Sequence, residues 1–385
     1  MKNNKLLLVF THLLTALLAV AITLGAVLIF STNSPNKLAN LQALIDEVFI
    51  GEVNKVAIED AAADAMVNAL GDRWSYYIPG SQQEDYEDFD NNVYTGIGVS
   101  VMVREDGKGL EIVTITEGGP AQKAGLQVGD IITTVDGNSV EGLPLSEAHA
   151  YLQGDVGTKT ELKILRGGET LTVTATWEKI PLPVATATML SGNIGLVTIE
   201  NFNERSAAET LAAVEKLLAK GAEKMIFDVR FNPGGSVSEL IQILDRLVPE
   251  GPIFRGEYYN GKTEEAHSDA KELNIPMAVL VNGDSYSAAE FFAAALQEYD
   301  KAIVVGQQTC GKGYFQRPYS LGDGSYVSLS IGKYYTPKGK NLEGVGITPD
   351  VVVEVSDEMY AAIYYDTIKS EDDPQIQAAI AALNK

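Results

Sequence analysis

Residues 224–236 read KMIFDVRFNPGGS, and this stretch sets the architecture of the C-terminal half of the chain. Its apolar start is typical of a buried strand, Asn-Pro-Gly-Gly permits a sharp turn, and Ser236 begins a segment with helical periodicity. On either side, strands are predicted at 194–199, 277–282 and 301–305, and helices at 206–220, 236–247 and 285–299. This alternation predicts an α/β domain with a mainly parallel sheet. In such sheets, active sites gather at the carboxyl ends of the strands.

Two more loops follow predicted strands of this domain and carry reactive side chains. Residues 282–290, NGDSYSAAE, place Ser287 in the first turn of an alanine-rich helix. That position exposes a hydroxyl and holds the next N–H near a developing oxyanion. The structural alternative is a helix cap, because Ser287-x-x-Glu290 is also a capping box. Taken alone, this motif favours the cap, since caps are so common.

Residues 309–316, TCGKGYFQ, place Lys312 between two glycines on a loop after the last of these strands. Burial lowers the pKa of a lysine, which then can act as a general base. The alternative is an ordinary loop lysine in contact with solvent. The three histidines, His12, His149 and His267, have no catalytic motif around them. A serine nucleophile needs a proton acceptor, and a Ser-Lys pair needs no histidine.

Together, these motifs resemble those of the C-terminal processing peptidases, also called tail-specific proteases. The resemblance covers about residues 37 to 355 and includes the order and spacing of Asn-Pro-Gly-Gly, Ser-x-Ser-Ala-x-Glu and Gly-Lys-Gly-x-x-Gln. It implies a serine endopeptidase with Ser287 as nucleophile, Lys312 as general base and Gln316 orienting the lysine. The resemblance also implies that Gly235 and Ala288 offer oxyanion-hole N–H groups. The chain departs from the family pattern at Tyr286 and Ala289, where the family often has alanine and serine.

The region from Tyr94 to Trp177 is rich in short alternating stretches and predicts a compact β-rich domain. Its segment 118–137, GGPAQKAGLQVGDIITTVDG, resembles the helix, turn and strand of the family's PDZ domain. The preceding loop resembles a carboxylate-binding loop, with Gly96, Ile97, Gly98 and Val99 as peptide-binding residues. Backbone N–H groups of such a loop can bind a peptide C-terminus while the peptide adds a strand to the sheet edge.

The N-terminus contains an uncharged apolar stretch, Leu6 to Phe30, after Lys2 and Lys5. A helix of that length would cross a bilayer, and the preceding lysines predict a cytoplasmic tail. We therefore expect an uncleaved anchor in the cell membrane, with the rest on the extracytoplasmic side. A cleaved signal peptide is the alternative, although the stretch is long and Phe30-Ser-Thr-Asn33 is a poor cleavage site.

The predicted fold class is multi-domain: a transmembrane helix, a helical segment, a PDZ domain and an α/β protease core with a mainly parallel sheet. The predicted boundaries are 1–5 for the tail, 6–30 for the anchor, 31–93 for a linker and helical region, 94–178 for the PDZ domain, 179–190 for a linker, 191–355 for the core and 356–385 for a C-terminal helical segment.

Composition restricts the partners. The formal net charge of −23 disfavours binding to nucleic acid or anionic lipid. The expected partners are proteins or peptides with accessible C-termini and, through the anchor, the membrane. The helical ends at 37–70 and 359–383 are candidates either for pairing subunits in a homo-oligomer or for covering the core. No metal or cofactor is implied.

The sequence also offers three alternatives to the serine peptidase. Residues 306–312, GQQTCGK, match a phosphate-binding loop, but Gly313 stands where that motif needs Ser or Thr. Cys310 lacks a partner histidine, which disfavours a cysteine nucleophile. The remaining alternative is a PDZ scaffold with an inactive core. The sequence disfavours it because the set of predicted catalytic residues is complete: Ser287, Lys312 and Gln316.

Overall fold

The structure is a computed structural model that describes residues 36–385. The chain forms two compact units, one ending at Met66 and one running from Val67 to Lys385. In the first, helix α1 is capped by Asn36, whose side chain accepts hydrogen bonds from the N–H groups of Leu38 and Ala39. The second unit contains every functional residue predicted above.

The elements have the following bounds. The helices are α1 (Lys37–Val48), α2 (Lys55–Asn68), α3 (Gln83–Asp90), α4 (Pro120–Lys123), α5 (Leu145–His149), α6 (Ser206–Ala219), α7 (Val237–Leu247), α8 (Ala288–Glu298), α9 (Asp357–Tyr364) and α10 (Pro374–Leu383). The strands are β1 (Tyr76–Ile78), β2 (Val93–Gly96), β3 (Val99–Val103), β4 (Leu110–Ile115), β5 (Ile131–Val135), β6 (Asn138–Ser139), β7 (Lys159–Arg166), β8 (Glu169–Thr176), β9 (Glu178–Pro181), β10 (Ala185–Leu190), β11 (Ile194–Ile199), β12 (Lys224–Asp228), β13 (Gly251–Tyr258), β14 (Thr263–Ser268), β15 (Met277–Val281), β16 (Ala302–Gly306), β17 (Tyr314–Ser320), β18 (Tyr326–Tyr335) and β19 (Val351–Val352).

The β-rich region folds as an antiparallel sheet in the order β3-β4-β5-β7-β8, with β6 paired to β5. Its core is apolar and closed, with Leu110, Ile112, Ile132 and Leu162 fully buried. Strands β2 and β9, which enter and leave this region, pair with each other in a separate ribbon. The groove-forming loop at 96–99 therefore begins at the ribbon and ends at the sheet.

The central sheet of the core has the order β10-β11-β12-β15-β16-β19. Side chains alternate between its faces: Phe227 and Val279 pack with α6, α7 and α8, whereas Ile226 and Leu280 pack with α10. The period of two residues in a strand gives each face its own apolar set. The result is a sheet between two helical layers, and the loops that carry the predicted site residues follow β12, β15 and β16.

A second sheet corrects the predicted fold class. Strands β1, β13, β14, β17 and β18 pair only antiparallel, and even the central sheet is mixed, because β10 and β11 form an antiparallel hairpin. The prediction of a mainly parallel core is therefore wrong. The antiparallel pairing follows from the length of the connections. Tight turns such as 259–262 can join only antiparallel neighbours, whereas a parallel pair needs a long crossover.

The transmembrane helix of that fold class has no counterpart in the described part of the chain. No helix among residues 36–385 is long and apolar enough to span a bilayer, and helices α2 and α6 have only 14 residues each. About 20 apolar residues are needed for a span. The predicted anchor at residues 6–30 lies outside the described residues.

Candidate active site

Ser287 lies directly before α8, in an unusual backbone conformation with φ +58° and ψ −121°. A positive φ is strained for a residue with a side chain, and such residues cluster at functional sites. The glycine loop approaches it closely: a Cβ added at Gly234 would lie 2.8 Å from the Cβ of Ser287 and 2.9 Å from the amide nitrogen of Ala288. Only glycine fits at position 234, which explains why the Asn-Pro-Gly-Gly turn is needed here.

Buried side-chain amides and a hydroxyl join the glycine loop to the serine loop. The Asn282 Oδ1 accepts from the Phe231 N–H at 2.9 Å, and the Ser285 hydroxyl donates to the Val229 carbonyl at 2.7 Å. In return, the Tyr286 N–H donates to the Asn232 carbonyl at 3.2 Å. These contacts join the two buried loops and fix their separation, while the side-chain nitrogen of Asn282 has no hydrogen-bond partner among the described residues.

Glu290 joins the serine loop to the lysine loop. Its carboxylate is fully buried and accepts four hydrogen bonds: from the N–H groups of Ser287 at 3.0 Å, Gly311 at 2.7 Å and Lys312 at 2.8 Å, and from the Thr309 hydroxyl at 2.6 Å. Burial raises the pKa of Glu290, against the effect of these donors. The predicted capping residue therefore does more than cap: it fixes both proposed catalytic residues through their backbones.

Lys312 is partly buried, and burial lowers its pKa to about 8. Its amine lies 5.0 Å from the ring centroid of Trp74 and 5.8 Å from that of Tyr286. None of the hydrogen bonds within residues 36–385 joins the Ser287 hydroxyl to the Lys312 amine. The loop itself is fixed by Tyr334, whose hydroxyl donates to the Lys312 carbonyl.

Gln316 does not contact the lysine amine through a hydrogen bond. Its side-chain amide donates to the Ser330 hydroxyl at 2.9 Å and to the Tyr314 carbonyl at 3.2 Å. It lines the same cavity as Ser287 and Lys312, so the structure brings the three predicted residues together without pairing them.

We call this space the catalytic cavity. It has a volume of about 570 Å³. Its wall includes the predicted oxyanion-hole residues Gly235 and Ala288. Within the described residues, no hydrogen bond uses the N–H of either one, so both donors are available to a ligand. Most of the remaining wall is apolar or aromatic, including Leu240, Phe254 and Phe291.

Three residues of the lysine's surroundings had no motif in the sequence. Trp74 comes from the segment before the PDZ domain, Tyr334 from the antiparallel sheet, and Glu343 from the loop after it. The indole N–H of Trp74 donates to Glu343 at 3.1 Å. A glycine beside a reactive loop is visible in a sequence, whereas a tryptophan more than 200 positions away gives no local signal.

The four predicted peptide-binding residues, 96–99, line a separate groove of about 780 Å³, which we call the peptide groove. The carbonyls of Ile97 and Gly98 accept hydrogen bonds from the N–H groups of Ala121 and Thr116. Among the described hydrogen bonds, none uses the N–H of Ile97 or Gly98. The loop thus presents donors toward a groove, as binding of a terminal carboxylate requires.

The chain matches the Peptidase family S41 over residues 193–353 and the PDZ domain family over residues 111–166. It is 33% identical over 392 residues to the carboxy-terminal processing protease CtpA of Bacillus subtilis (strain 168), with 96% of this chain and 82% of that protein covered. The chain belongs to peptidase family S41.

A second relative and one solved structure are also similar to this chain. A probable CtpA-like serine protease of Staphylococcus saprophyticus is 30% identical, with 91% of this chain and 72% of that protein covered. A putative S41 protease of Bacteroides fragilis has a similar fold, with a TM-score of 0.51 at 17% identity, covering 83% of this chain and 90% of that one. The resemblance predicted from the sequence is confirmed: the chain is a PDZ-containing S41 serine peptidase of the C-terminal processing type.

Proposed function

We propose that this S41 peptidase cleaves peptide bonds with a Ser287–Lys312 dyad and takes its substrates by their C-termini in the peptide groove. The observation that carries the proposal is the lysine: its amine is partly buried in the catalytic cavity, its pKa is lowered to about 8, and Ser287 lines the same cavity. A lysine with a pKa near neutral can be unprotonated when the enzyme works.

The proposed reaction has two halves. The neutral Lys312 amine takes the proton of the Ser287 hydroxyl, and the serine oxygen bonds to the carbonyl carbon of the substrate. Lys312 then gives this proton to the leaving amine as the peptide bond breaks. In the second half, water loses a proton to Lys312 and displaces the serine oxygen, which regains a proton. The N–H groups of Gly235 and Ala288 stabilise the negative oxygen in both halves.

The dyad contact forms when substrate binds. Catalytic hydrogen bonds are often long in free enzymes and tighten in the complex with substrate. The backbones of the two loops are joined through Glu290, so we expect the contact to form by movement of the lysine side chain.

Delivery to the cavity uses the peptide groove. Its loop donors bind the terminal carboxylate, and the substrate adds a strand beside β3. Helix α3 contributes to both spaces, because Phe89 lines the peptide groove and the catalytic cavity. A bound chain end is therefore held close to the cavity in which its upstream segment is cut.

The test is cleavage of an unfolded reporter protein by the purified chain. Ser287→Ala is expected to abolish turnover while leaving the affinity for a C-terminal peptide unchanged, since the groove is not touched. The matched control is Ser238→Ala, an exposed serine of α7 that is expected to cut at the normal rate. Turnover by Ser287→Ala at the control's rate would refute the nucleophile.

A further inference from the structure

The Lys312 amine has an unusual environment for a cation. Within residues 36–385 it forms no hydrogen bond and no ion pair. Its neighbours are two aromatic rings, those of Trp74 and Tyr286, which stack on each other with centroids 6.2 Å apart and planes 25° apart. The faces of aromatic rings carry partial negative charge and attract cations within about 6 Å of the centroid.

Trp74 is fixed relative to the lysine loop. Its indole N–H donates to both carboxylate oxygens of Glu343, at 3.1 and 3.2 Å, and Glu343 accepts the N–H of Gly313, the residue after the lysine, at 2.8 Å. The ring is thus tied, through a single carboxylate, to the backbone that carries the amine.

The segment carrying Trp74 is anchored as well. Asp72 accepts from the Trp74 N–H at 3.1 Å and from the Ser75 hydroxyl at 2.6 Å, and Ser75 in turn accepts from the Ser330 N–H at 3.0 Å. Strand β1 follows directly and pairs with β18. The ring is therefore held in a fixed position beside the lysine loop.

We propose that Trp74 is a positioning residue for Lys312: together with Tyr286 it holds the lysine side chain over aromatic faces at the entrance to its catalytic position, and Glu343 fixes the ring to the lysine loop. The inference rests on the proposed Ser287–Lys312 dyad. It assigns a function to the segment before the PDZ domain, which supplies no residue to the motifs of the core.

The proposal predicts a pH effect with a defined sign. Burial lowers the pKa of Lys312, and the carboxylates of Glu343, Asp72 and Glu290 act in the opposite direction. Cys310 also faces the amine, but burial raises the pKa of its thiol, which favours the neutral form. The guanidinium of Arg73 lies 4.0 Å from the centroid of the Trp74 ring and is the positive charge on that ring. Aromatic faces also favour the protonated amine, so the rings raise its pKa. The rate of the S41 peptidase is expected to rise with pH up to about 8, because the base works unprotonated.

The experiment compares Trp74→Leu with Trp74→Phe in the full chain. Leucine removes the ring, so kcat is expected to fall roughly 10- to 100-fold with KM nearly unchanged. The acidic limb of the kcat profile should move to lower pH by about half a unit to one unit. Phenylalanine keeps a ring face but loses the hydrogen bond to Glu343. It should therefore keep the limb near its normal pH, with a smaller loss in kcat.

A second measurement avoids activity altogether. In the Ser287→Ala background, the Lys312 amine is titrated by NMR of ¹³C-labelled lysine, with the signal assigned by its loss in Lys312→Met. Its pKa should be lower in the Trp74→Leu protein. The control for losing a cation–π contact elsewhere is Tyr335→Leu, whose ring lies 4.4 Å from the guanidinium of Arg255.

Two failures can be told apart. If Trp74→Leu, shown to be folded by its circular dichroism, keeps normal kcat and an unmoved pH limb while Lys312→Met is inactive, the dyad stands and the positioning role is overturned. An increase in kcat in Trp74→Leu would also overturn it, because the rings would then oppose catalysis. If Lys312→Met is active, the dyad itself fails.

Discussion

The wall of the catalytic cavity comes from residues spread between Tyr76 and Tyr334, whereas the predicted binding loop of the peptide groove consists of four consecutive residues, 96–99. The groove also differs in charge: its rim includes the carboxylates of Glu84, Asp85, Asp88 and Asp155. In the cavity, aromatic rings lie beside the lysine amine. The buried carboxylate of Glu290, which we call the clamp, accepts the backbone N–H of the same lysine.

This difference reflects two physical tasks. Binding a chain end needs backbone donors in one rigid loop, which a short local sequence can supply. Proton transfer needs a nucleophile, a base of altered pKa and oxyanion donors placed within tenths of an ångström, in an environment that excludes water. Such a set is assembled from segments that are distant in the sequence. The contacts between these segments can be tested by substitution.

The largest effect separates chemistry from binding. Lys312→Arg is expected to reduce kcat by roughly 10⁴-fold or more, because arginine does not lose its proton at working pH. Peptide affinity in the groove, measured by fluorescence anisotropy, should change less than twofold. The control is Lys333→Arg on β18, whose amine lies 5.8 Å from the Tyr314 ring. Weak peptide binding in the Lys312→Arg protein would mean that the cavity and groove are not separate.

The clamp is tested by two carboxylates on one helix. Glu290→Gln replaces one of the two acceptor oxygens by an NH₂ group, so some of the N–H donors that hold Ser287 and Lys312 lose their acceptor. Because this loosens both residues, kcat is expected to fall about 30-fold. Glu298, at the other end of α8, accepts from the Thr336 hydroxyl at 3.0 Å and the Lys338 N–H at 2.7 Å.

Glu298→Gln therefore removes a similar buried acceptor away from the cavity. Both substitutions should lower the melting temperature by a similar amount. Only Glu290→Gln should also lower kcat substantially, whereas Glu298→Gln should keep a kcat near normal. Equal kcat in two equally destabilised variants would reduce Glu290 to a structural cap.

The smallest effect concerns the groove. Gly98 has φ +79°, and a Cβ there would lie 3.2 Å from Thr116 and Ile180. Gly98→Ala is expected to weaken C-terminal peptide binding roughly tenfold through strain in the loop, with kcat at saturation unchanged. The control is Gly107→Ala, which introduces a similar backbone strain because φ is +71° there. A Cβ at that position meets open space, so no side chain has to move. Loss of peptide binding in Gly107→Ala as well would point to unfolding of the domain.

The sequence by itself determined the local parts of this S41 peptidase. Neighbours along the chain decide the strand and the turn within 224–236, the helix that follows them, the serine at a helix start and the glycine loop before a strand. The family followed from these motifs and was confirmed. The antiparallel sheet was not predicted because the direction of a strand depends on the strand with which it pairs. A short alternating pattern predicts a strand but does not identify its partner.

Only the tertiary structure decided the environment of the lysine. The pKa of Lys312 depends on burial and on charges at Glu343 and Asp72, far apart in sequence, and its amine faces a ring from position 74. Desolvation and cation–π attraction act through space over a few ångströms, so no spacing along the chain encodes them. The residues of the loop predicted its proposed chemistry, whereas the lowered pKa of Lys312 results from the fold.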